Sequence, residues 1–302
     1  MGRLTAIVLG SAAGGGVPQW NCTCPVCRLA WAGDSRVRPR TQASLAASGD
    51  GESWVLINAS PDLRQQLRAS PALHPKGATR GSPIKAVMLS GGEIDQVAGL
   101  LSLREREPFT LYGTAATLTT LAGNSVFDVL APDVVLRKPV TCGEVVPLPG
   151  GLAAQLFTAP GKLPLYLEGD NPDTAAETAA NVGIEISGHG KRIVYIPGAA
   201  AVTASMLDRM ARAQVVLFDG TLYRDDELIT TRTGSKSGHR MGHMPIAGPE
   251  GSLMRLSSLA APRRLYVHIN NTNPILIDGS PERAEVEAAG WEVAEDGMEI
   301  VL

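Results

Sequence analysis

Apolar residues along this chain gather in short, nearly unbroken runs parted by glycine, proline and polar turns. Such runs predict strands buried on both faces, not surface strands that alternate in and out. The first covers residues 4–9 and stops at Gly10; residues 54–58, 86–90, 215–218 and 265–268 repeat it. Residues 182–187 and 192–196 flank Gly188-His-Gly-Lys191, a strand–turn–strand signature. Helical spacing marks residues 62–69, 97–106, 114–122, 202–213, 252–259 and 280–289. Residues 132–157 alternate short apolar runs with Gly and Pro, as antiparallel strands do, and residues 291–294 with 298–302 read as a closing pair. Two stretches read as loops: 163–181, a polar surface loop or lid, and 230–251, which holds Gly, Ser and His. No fixed-period repeat and no linker interrupts the alternation of strands and helices. The expectation is one layered α/β domain over residues 1–302.

Composition narrows the functional classes. With 302 residues, 44% hydrophobic and 19% charged, the chain can build a large core and is not a disordered protein. A net charge of −3 gives no whole-molecule attraction to nucleic acid or an anionic membrane. No stretch approaches the ~18 uninterrupted apolar residues of a membrane span. Arg3 and the apolar residues after it faintly imitate a secretion signal, but the run is short and ends in a glycine loop, so a first strand is the better reading. The expectation is a cytoplasmic protein without membrane insertion.

The glycine loop 10–16 is not a dinucleotide fingerprint, because Ala12 takes the second glycine position and Pro18, Trp20 and cysteines follow instead of a helix. Cys22, Cys24 and Cys27 lie within six residues, inside a loop of about residues 18–30. Three thiolates so close can fill three corners of a Zn2+ tetrahedron. A disulfide would leave an odd thiol, and redox chemistry through Cys24 and Cys27 is the other alternative. The fourth zinc ligand must come from elsewhere, with His268 or a neighbour on the loop after it as the expectation.

A second constellation sits at strand ends, where side chains converge in α/β folds. Asp219 ends one apolar run and His268 another; Glu93 and Asp95 follow a third, and His243 lies on the long loop. Two histidines with one or two carboxylates suit Fe2+ in an open site, and zinc as well. Singly, Asp219 also reads as a turn former and His268 as a hydrogen-bonded core residue. Asn270 and Asn271, beside Asn273, can orient a substrate or a ligand histidine, or simply hold their own loop. Arg104, with Arg106, Arg36, Arg38 and Arg40, offers a cationic rim for an acidic substrate.

Longer strings carry a family resemblance. Gly10-Ser-Ala-Ala-Gly-Gly-Gly-Val-Pro-Gln-Trp-Asn-Cys-Thr-Cys-Pro-Val-Cys27, Asn58-Ala-Ser-Pro-Asp62, Gly99-Leu-Leu-Ser-Leu-Arg-Glu105, Phe218-Asp-Gly-Thr221, Met241-Gly-His243 and Val267-His-Ile-Asn-Asn-Thr-Asn-Pro274 resemble the coenzyme PQQ biosynthesis protein B family, in order along the whole chain. The resemblance implies a metallo-β-lactamase-like four-layer αββα sandwich, with structural zinc on a loop like Cys22–Cys27. It aligns the superfamily's H-x-H-x-D-H motif with Gly91-Gly-Glu93-Ile-Asp95-Gln96, where both leading histidines are absent and Gln96 stands in place of histidine. Lys162 falls near the superfamily's middle histidine; Asp219 matches its bridging aspartate and His268 its last histidine, while His243 resembles the catalytic-loop histidine of the ribonuclease Z branch. One iron held by His243, His268, Asp219 and an acid from Glu93 or Asp95 remains feasible, with His243 and Asp95 as catalytic residues. The implied activity is hydroxylation of the tyrosine ring of a Glu–Tyr-derived precursor of pyrroloquinoline quinone. Asn270, Asn271 and Arg104 would then meet this small-molecule or dipeptide-like partner, with a homodimer as an allowed assembly. The alternatives are a non-catalytic carrier that assists transport of the quinone or its precursor, its activity lost with Gln96, and a metal-dependent hydrolase, which the missing histidines disfavour.

Overall fold

A computed structural model describes residues 2–77, 79–170 and 172–302. The first half of the chain supplies β1 (Thr5–Gly10), α1 (Pro25–Trp31), β2 (Ser44–Ser48), β3 (Trp54–Ile57), α2 (Leu63–Ala69), β4 (Ile84–Met88), α3 (Ile94–Val97), β5 (Phe109–Gly113), α4 (Ala115–Ala122) and β6 (Val135–Pro139). The second half supplies β7 (Val145–Leu148), β8 (Leu152–Pro160), β9 (Glu177–Gly188), β10 (Lys191–Ile196), α5 (Ala204–Ala211), β11 (Val215–Asp219), α6 (Glu227–Thr230), α7 (Gly238–Met241), α8 (Ser252–Arg255), β12 (Arg263–Val267), α9 (Pro281–Ala288), β13 (Glu292–Val293) and β14 (Glu299–Val301).

These strands form two seven-stranded mixed sheets, ordered β14-β1-β2-β3-β4-β5-β6 and β13-β12-β11-β10-β9-β8-β7. Within each run, successive side chains serve different layers. Ala6 and Val8 of β1, Val215 and Leu217 of β11 and Leu265 of β12 fill the core between the sheets. Ile7 and Leu9 face the helical layer of the first sheet together with Leu63, Leu100 and Leu118. Val216 and Phe218 face Met206, Met210 and Val286 on the other side. The central strands are therefore dry on both faces, which is why they read as unbroken apolar runs, while β6, β7 and β14 keep exposed residues, and the expected αββα sandwich is the fold.

Several local expectations are corrected. Residues 291–294 and 298–302 do not pair with each other: β13 joins β12 in parallel, while β14 runs antiparallel to β1 in the other sheet. Residues 132–157 are not a purely antiparallel set, because β6 runs parallel to β5. The stretches 97–106 and 252–259 wind into a 3₁₀ segment and a single turn instead of full helices. Residues 163–181, of which Asn171 lies outside the described residues, hold a 3₁₀ turn at Leu165–Leu167 and the first residues of β9.

Candidate functional site

The parallel strands β4, β10, β11 and β12 end on one side of the sandwich, and their following loops surround a cavity of about 490 Å3. Asp219, the last residue of β11, is fully buried and accepts four hydrogen bonds. Its Oδ1 takes the backbone N–H of Thr221 at 3.0 Å and the Thr221 hydroxyl at 2.6 Å; its Oδ2 takes Ala199 N–H at 2.9 Å and His243 Nδ1 at 2.7 Å.

Thr221 is the hub of the site. Its hydroxyl has one proton, directed to the Asp219 carboxylate, so His268 Nδ1, 2.8 Å from Thr221 Oγ1, is the donor in that contact. His268 Nε2 then faces Asp95 Oδ2 at 2.9 Å, and its ring lies 5.3 Å from that of His243 with 20° between planes. His268 also takes a left-handed backbone angle, φ 58°, as non-glycine residues seldom do outside constrained sites. Burial works against every charge here. For Asp95 it is outweighed by the hydrogen bond and charge of His268, and for Asp219 by the charge and hydrogen bond of His243, so both carboxyls lie below their ordinary range. His268 is raised in turn: burial opposes its charge, but Asp95 overrides it.

Asp219, His243 and His268 place ligand atoms within 4.8 Å of one another, a carboxylate–imidazole set of the kind that holds a single divalent ion once hydrogen bonds such as His268 Nε2 to Asp95 are exchanged for it. Asp95 stands beside them through His268. Glu93 is not part of this set: it caps α3 and turns to Lys162 Nζ at 3.0 Å and to the backbone N–H of Leu165 at 3.1 Å. Lys162 in turn meets Glu168 at 3.1 Å, so an ammonium occupies this side of the cavity. Gln96 is used structurally, its Oε1 accepting the Glu93 N–H at 3.1 Å and closing the first turn of α3.

The second cluster is separate. Cys24 caps α1, whose first turn opens with Pro25, and this brings the sulfurs of Cys22, Cys24 and Cys27 within 4.8 Å of one another. The hydrogen bond from Cys24 holds the Cys27 thiol down at about 5 despite burial, and the same bond together with burial raises Cys24. A partly ionised trio of soft sulfurs fits zinc. Asn271 meets them from outside the loop: its carbonyl lies 3.3 Å from Cys24 Sγ, and its amide nitrogen 3.2 and 3.3 Å from the sulfurs of Cys22 and Cys27. Of the two expectations for the fourth group, His268 is not beside the sulfurs, being held by Thr221 and Asp95, whereas a neighbour on the loop after it, Asn271, is. The expectation that Asn271 meets a substrate is corrected, since it is committed to the cysteines. Asn270 does line the cavity, with Lys162 and Lys236.

Arg104 does not line it; its guanidinium donates to Leu101 O and lies near Glu105 on the surface. The wider arginine rim also fails. Arg40 is buried against Ser11 and Ala294, while Arg36, Arg38 and Arg106 pair with Asp34, Glu295 and Asp133. Lysines supply the cavity's cations. Thr221 escapes sequence reasoning, although a hydroxyl two residues after a strand-terminal Asp is an available signal.

The profile "Beta-lactamase superfamily domain" matches residues 53–269. The chain is 54% identical over 299 residues to the "Coenzyme PQQ synthesis protein B" of Methylobacterium nodulans, covering 99% of this chain and 100% of that one. It is likewise 54% identical to the protein of that name from Methylorubrum extorquens, over 98% of this chain and 99% of the relative. Among solved structures, "Zn(2+)-bound PqqB from Methylobacterium extorquens" superposes with a TM-score of 0.97 at 54% identity, covering 99% of this chain and 100% of that chain. A diphosphatase of the PhnP family shares the fold at 19% identity, with a TM-score of 0.69 over 99% of this chain and 97% of its own.

Proposed function

The chain belongs to the coenzyme PQQ synthesis protein B family of the beta-lactamase superfamily, and on that premise we propose that it is an iron-dependent hydroxylase in PQQ synthesis, acting on the tyrosine ring of a Glu–Tyr-derived intermediate. The observation that carries the reading is the Asp219–His243–His268 set, a donor group that a carrier does not need. Zinc, the metal bound to the related PqqB from Methylobacterium extorquens, would sit on Cys22, Cys24 and Cys27 in this chain, and iron on the carboxylate–imidazole set, with Asp95 beside it.

Bound iron supplies the electron exchange with dioxygen that no side chain here offers. In the overall reaction one oxygen atom enters the ring and the other leaves as water, with two electrons and two protons from an external reductant. The chain's own residues hold the stage. Thr221, outside the set, orients His268, as outer hydrogen bonds do for metal ligands, and Asp219 within the set orients His243. With Nδ1 donating to Thr221, His268 would hold the ion through Nε2 only after giving up the proton there, and Asp95, 2.9 Å away, is the group placed to take that proton. Lys236, lining the cavity and held only at 3.4 Å by Glu168, offers an ammonium donor to a carboxylate of an acidic substrate, while Lys162 is spent on Glu93, Glu168 and Leu163 O.

A second reading draws on Gln96. Its carbonyl is spent on the α3 cap, so it adds no ligand, and a chain that holds iron too weakly would serve as a carrier for the quinone or its precursor. Metal analysis of anaerobically purified protein, before and after Fe2+ loading, separates the two. About one tightly held zinc and about one exchangeable iron per chain support the hydroxylase. Zinc alone at every loading removes the hydroxylase and leaves the carrier.

A further inference from the structure

One wall of the cavity is wired to a buried acid that the mechanism above does not use. Asn270 lines the cavity, its backbone fixed by its own N–H to Thr221 O and by Asn273 N–H to its carbonyl, both at 3.0 Å. Its side-chain Nδ2 lies 2.6 Å from Thr272 Oγ1, and Thr272 Oγ1 lies 2.5 Å from Glu227 Oε1. Glu227 is 5% exposed, and its other oxygen accepts the Tyr223 N–H at 2.7 Å. Among the described residues, Asn270 Oδ1 accepts no hydrogen bond.

The direction of this chain follows from counting protons. Glu227 as a carboxylate only accepts, so the Thr272 hydroxyl must give it its proton. Thr272 Oγ1 can then only accept from Asn270, which must present Nδ2 to it and turn Oδ1 towards the cavity. We propose that Glu227, acting through Thr272, is a positioning residue that makes Asn270 an obligatory hydrogen-bond acceptor on the cavity wall, selecting ligands that carry an amine N–H there. With Lys236 as an available ammonium in the same cavity, the wall then offers both halves of an amino-acid-like head: a donor for carboxylate and an acceptor for ammonium. The relay is read from the geometry; the amine-bearing ligand rests on the function proposed above.

The substitution Glu227→Gln reverses the chain. The carbonyl of the introduced carboxamide must keep the Tyr223 N–H, so its NH2 group donates to Thr272; Thr272 then donates to Asn270 Oδ1, and the Asn270 NH2 group faces the cavity. Burial pushes the Glu227 carboxyl up to about 7, so the experiment is run at pH ~8.5, where it is ionised. Full-length protein labelled with 15N-asparagine reports the Asn270 side-chain amide by NMR, assigned by its loss in Asn270→Ser. In the parent one Nδ2 proton is protected from solvent exchange by Thr272. Protection is lost in Glu227→Gln and Thr272→Val and kept in Thr272→Ser, whose hydroxyl preserves the relay. An Asn270 amide unchanged in Glu227→Gln overturns the proposal whatever the function.

Calorimetric binding of the dipeptide L-Glu-L-Tyr and of its analogue lacking the amine gives the second readout. The parent should prefer the dipeptide, Thr272→Ser should keep that preference, and Glu227→Gln should lose about tenfold or more of it, since a donor then meets the ammonium. A preference unaffected in Glu227→Gln contradicts the selecting role. If the dipeptide fails to bind any variant, the amine-selecting role falls with the substrate reading, and the exchange data still decide the relay.

Discussion

At the scale of single residues, the site depends on atoms that hold other atoms. Thr221 carries no charge, yet its hydroxyl joins Asp219 to His268 and lies 3.1 Å from His243 Nδ1. Thr221→Val leaves the buried Asp219 one donor short and frees both rings, so we expect a loss of about 1–3 kcal/mol in stability and roughly 10–100-fold in metal affinity. Thr221→Ser should recover most of both. Urea denaturation and a metal titration give the two numbers, and full affinity in Thr221→Val would show that the hydroxyl does not set the imidazoles. Glu227 poses the opposite problem. Burial raises its carboxyl from 4.5 in the free side chain to about 7 in the fold, so between those values the folded chain holds more protons than the unfolded one. Stability must therefore fall as pH rises from about 4.5 to about 7, by at most about 3 kcal/mol. Glu227→Gln has no proton to lose, and its urea midpoint should fall less between about pH 5 and about pH 8 than that of the parent. Parallel pH profiles would mean that the carboxyl is not raised.

At the scale of elements, the segment that opens with Lys162 is tied down by charge instead of apolar burial. Leu163, Leu165 and Leu167 are all exposed, while Glu168, near the surface with its side chain covered by its partners, draws Lys162, Lys236 and Arg240 and is held at about 2 by Arg240 and the two lysines against burial. Glu168→Gln removes the charge that these cations share. We expect the amides of residues 163–168 to exchange hydrogen much faster while the global stability from urea denaturation moves by less than about 1 kcal/mol, because few core contacts are involved. Unchanged exchange there would mean that the ties to Glu93 and Gly92 suffice. The same distinction between burial and polar ties explains what can be read from sequence. Runs such as Val215–Phe218 are legible as strands because both faces are dry. β2, Ser-Leu-Ala-Ala-Ser, is not, because its small residues carry little hydrophobic signal, although all five are buried. The strand-end ligands Asp219 and His268 are legible from position alone. Glu93 is misplaced by sequence reasoning because a carboxylate's type does not say whether a metal or a lysine will claim it. Asn271 is misassigned because one residue along a loop separates the cavity from the cysteines.

At the scale of the molecule, the two ends of the chain close on the site. The link between β13 and β14 crosses from one sheet to the other and carries Asp296, largely covered by the loop after β1. One oxygen accepts Ser11 N–H at 2.9 Å and its hydroxyl at 2.8 Å; the other accepts the N–H and hydroxyl of Thr41, both at 2.7 Å. The clamp reaches the metal-ligand side within two bonds, because Ser11 O accepts Ile269 N–H and Ile269 O accepts Ala13 N–H, directly after His268. Asp296→Asn keeps the shape but exchanges one acceptor for an NH2 group, which then confronts a backbone N–H at Ser11 or Thr41. A buried donor facing a donor should cost about 2–4 kcal/mol, far more than a surface isostere. Because the clamp spans both sheets, the loss should appear as a shifted urea midpoint with an unchanged slope, the mark of one cooperative unit. It should also loosen the strand end at His268, weakening metal binding without touching a ligand. A broadened or two-step transition would show instead that the sheets unfold separately, and the closing β14 would then be an edge trimming, not a brace for the site.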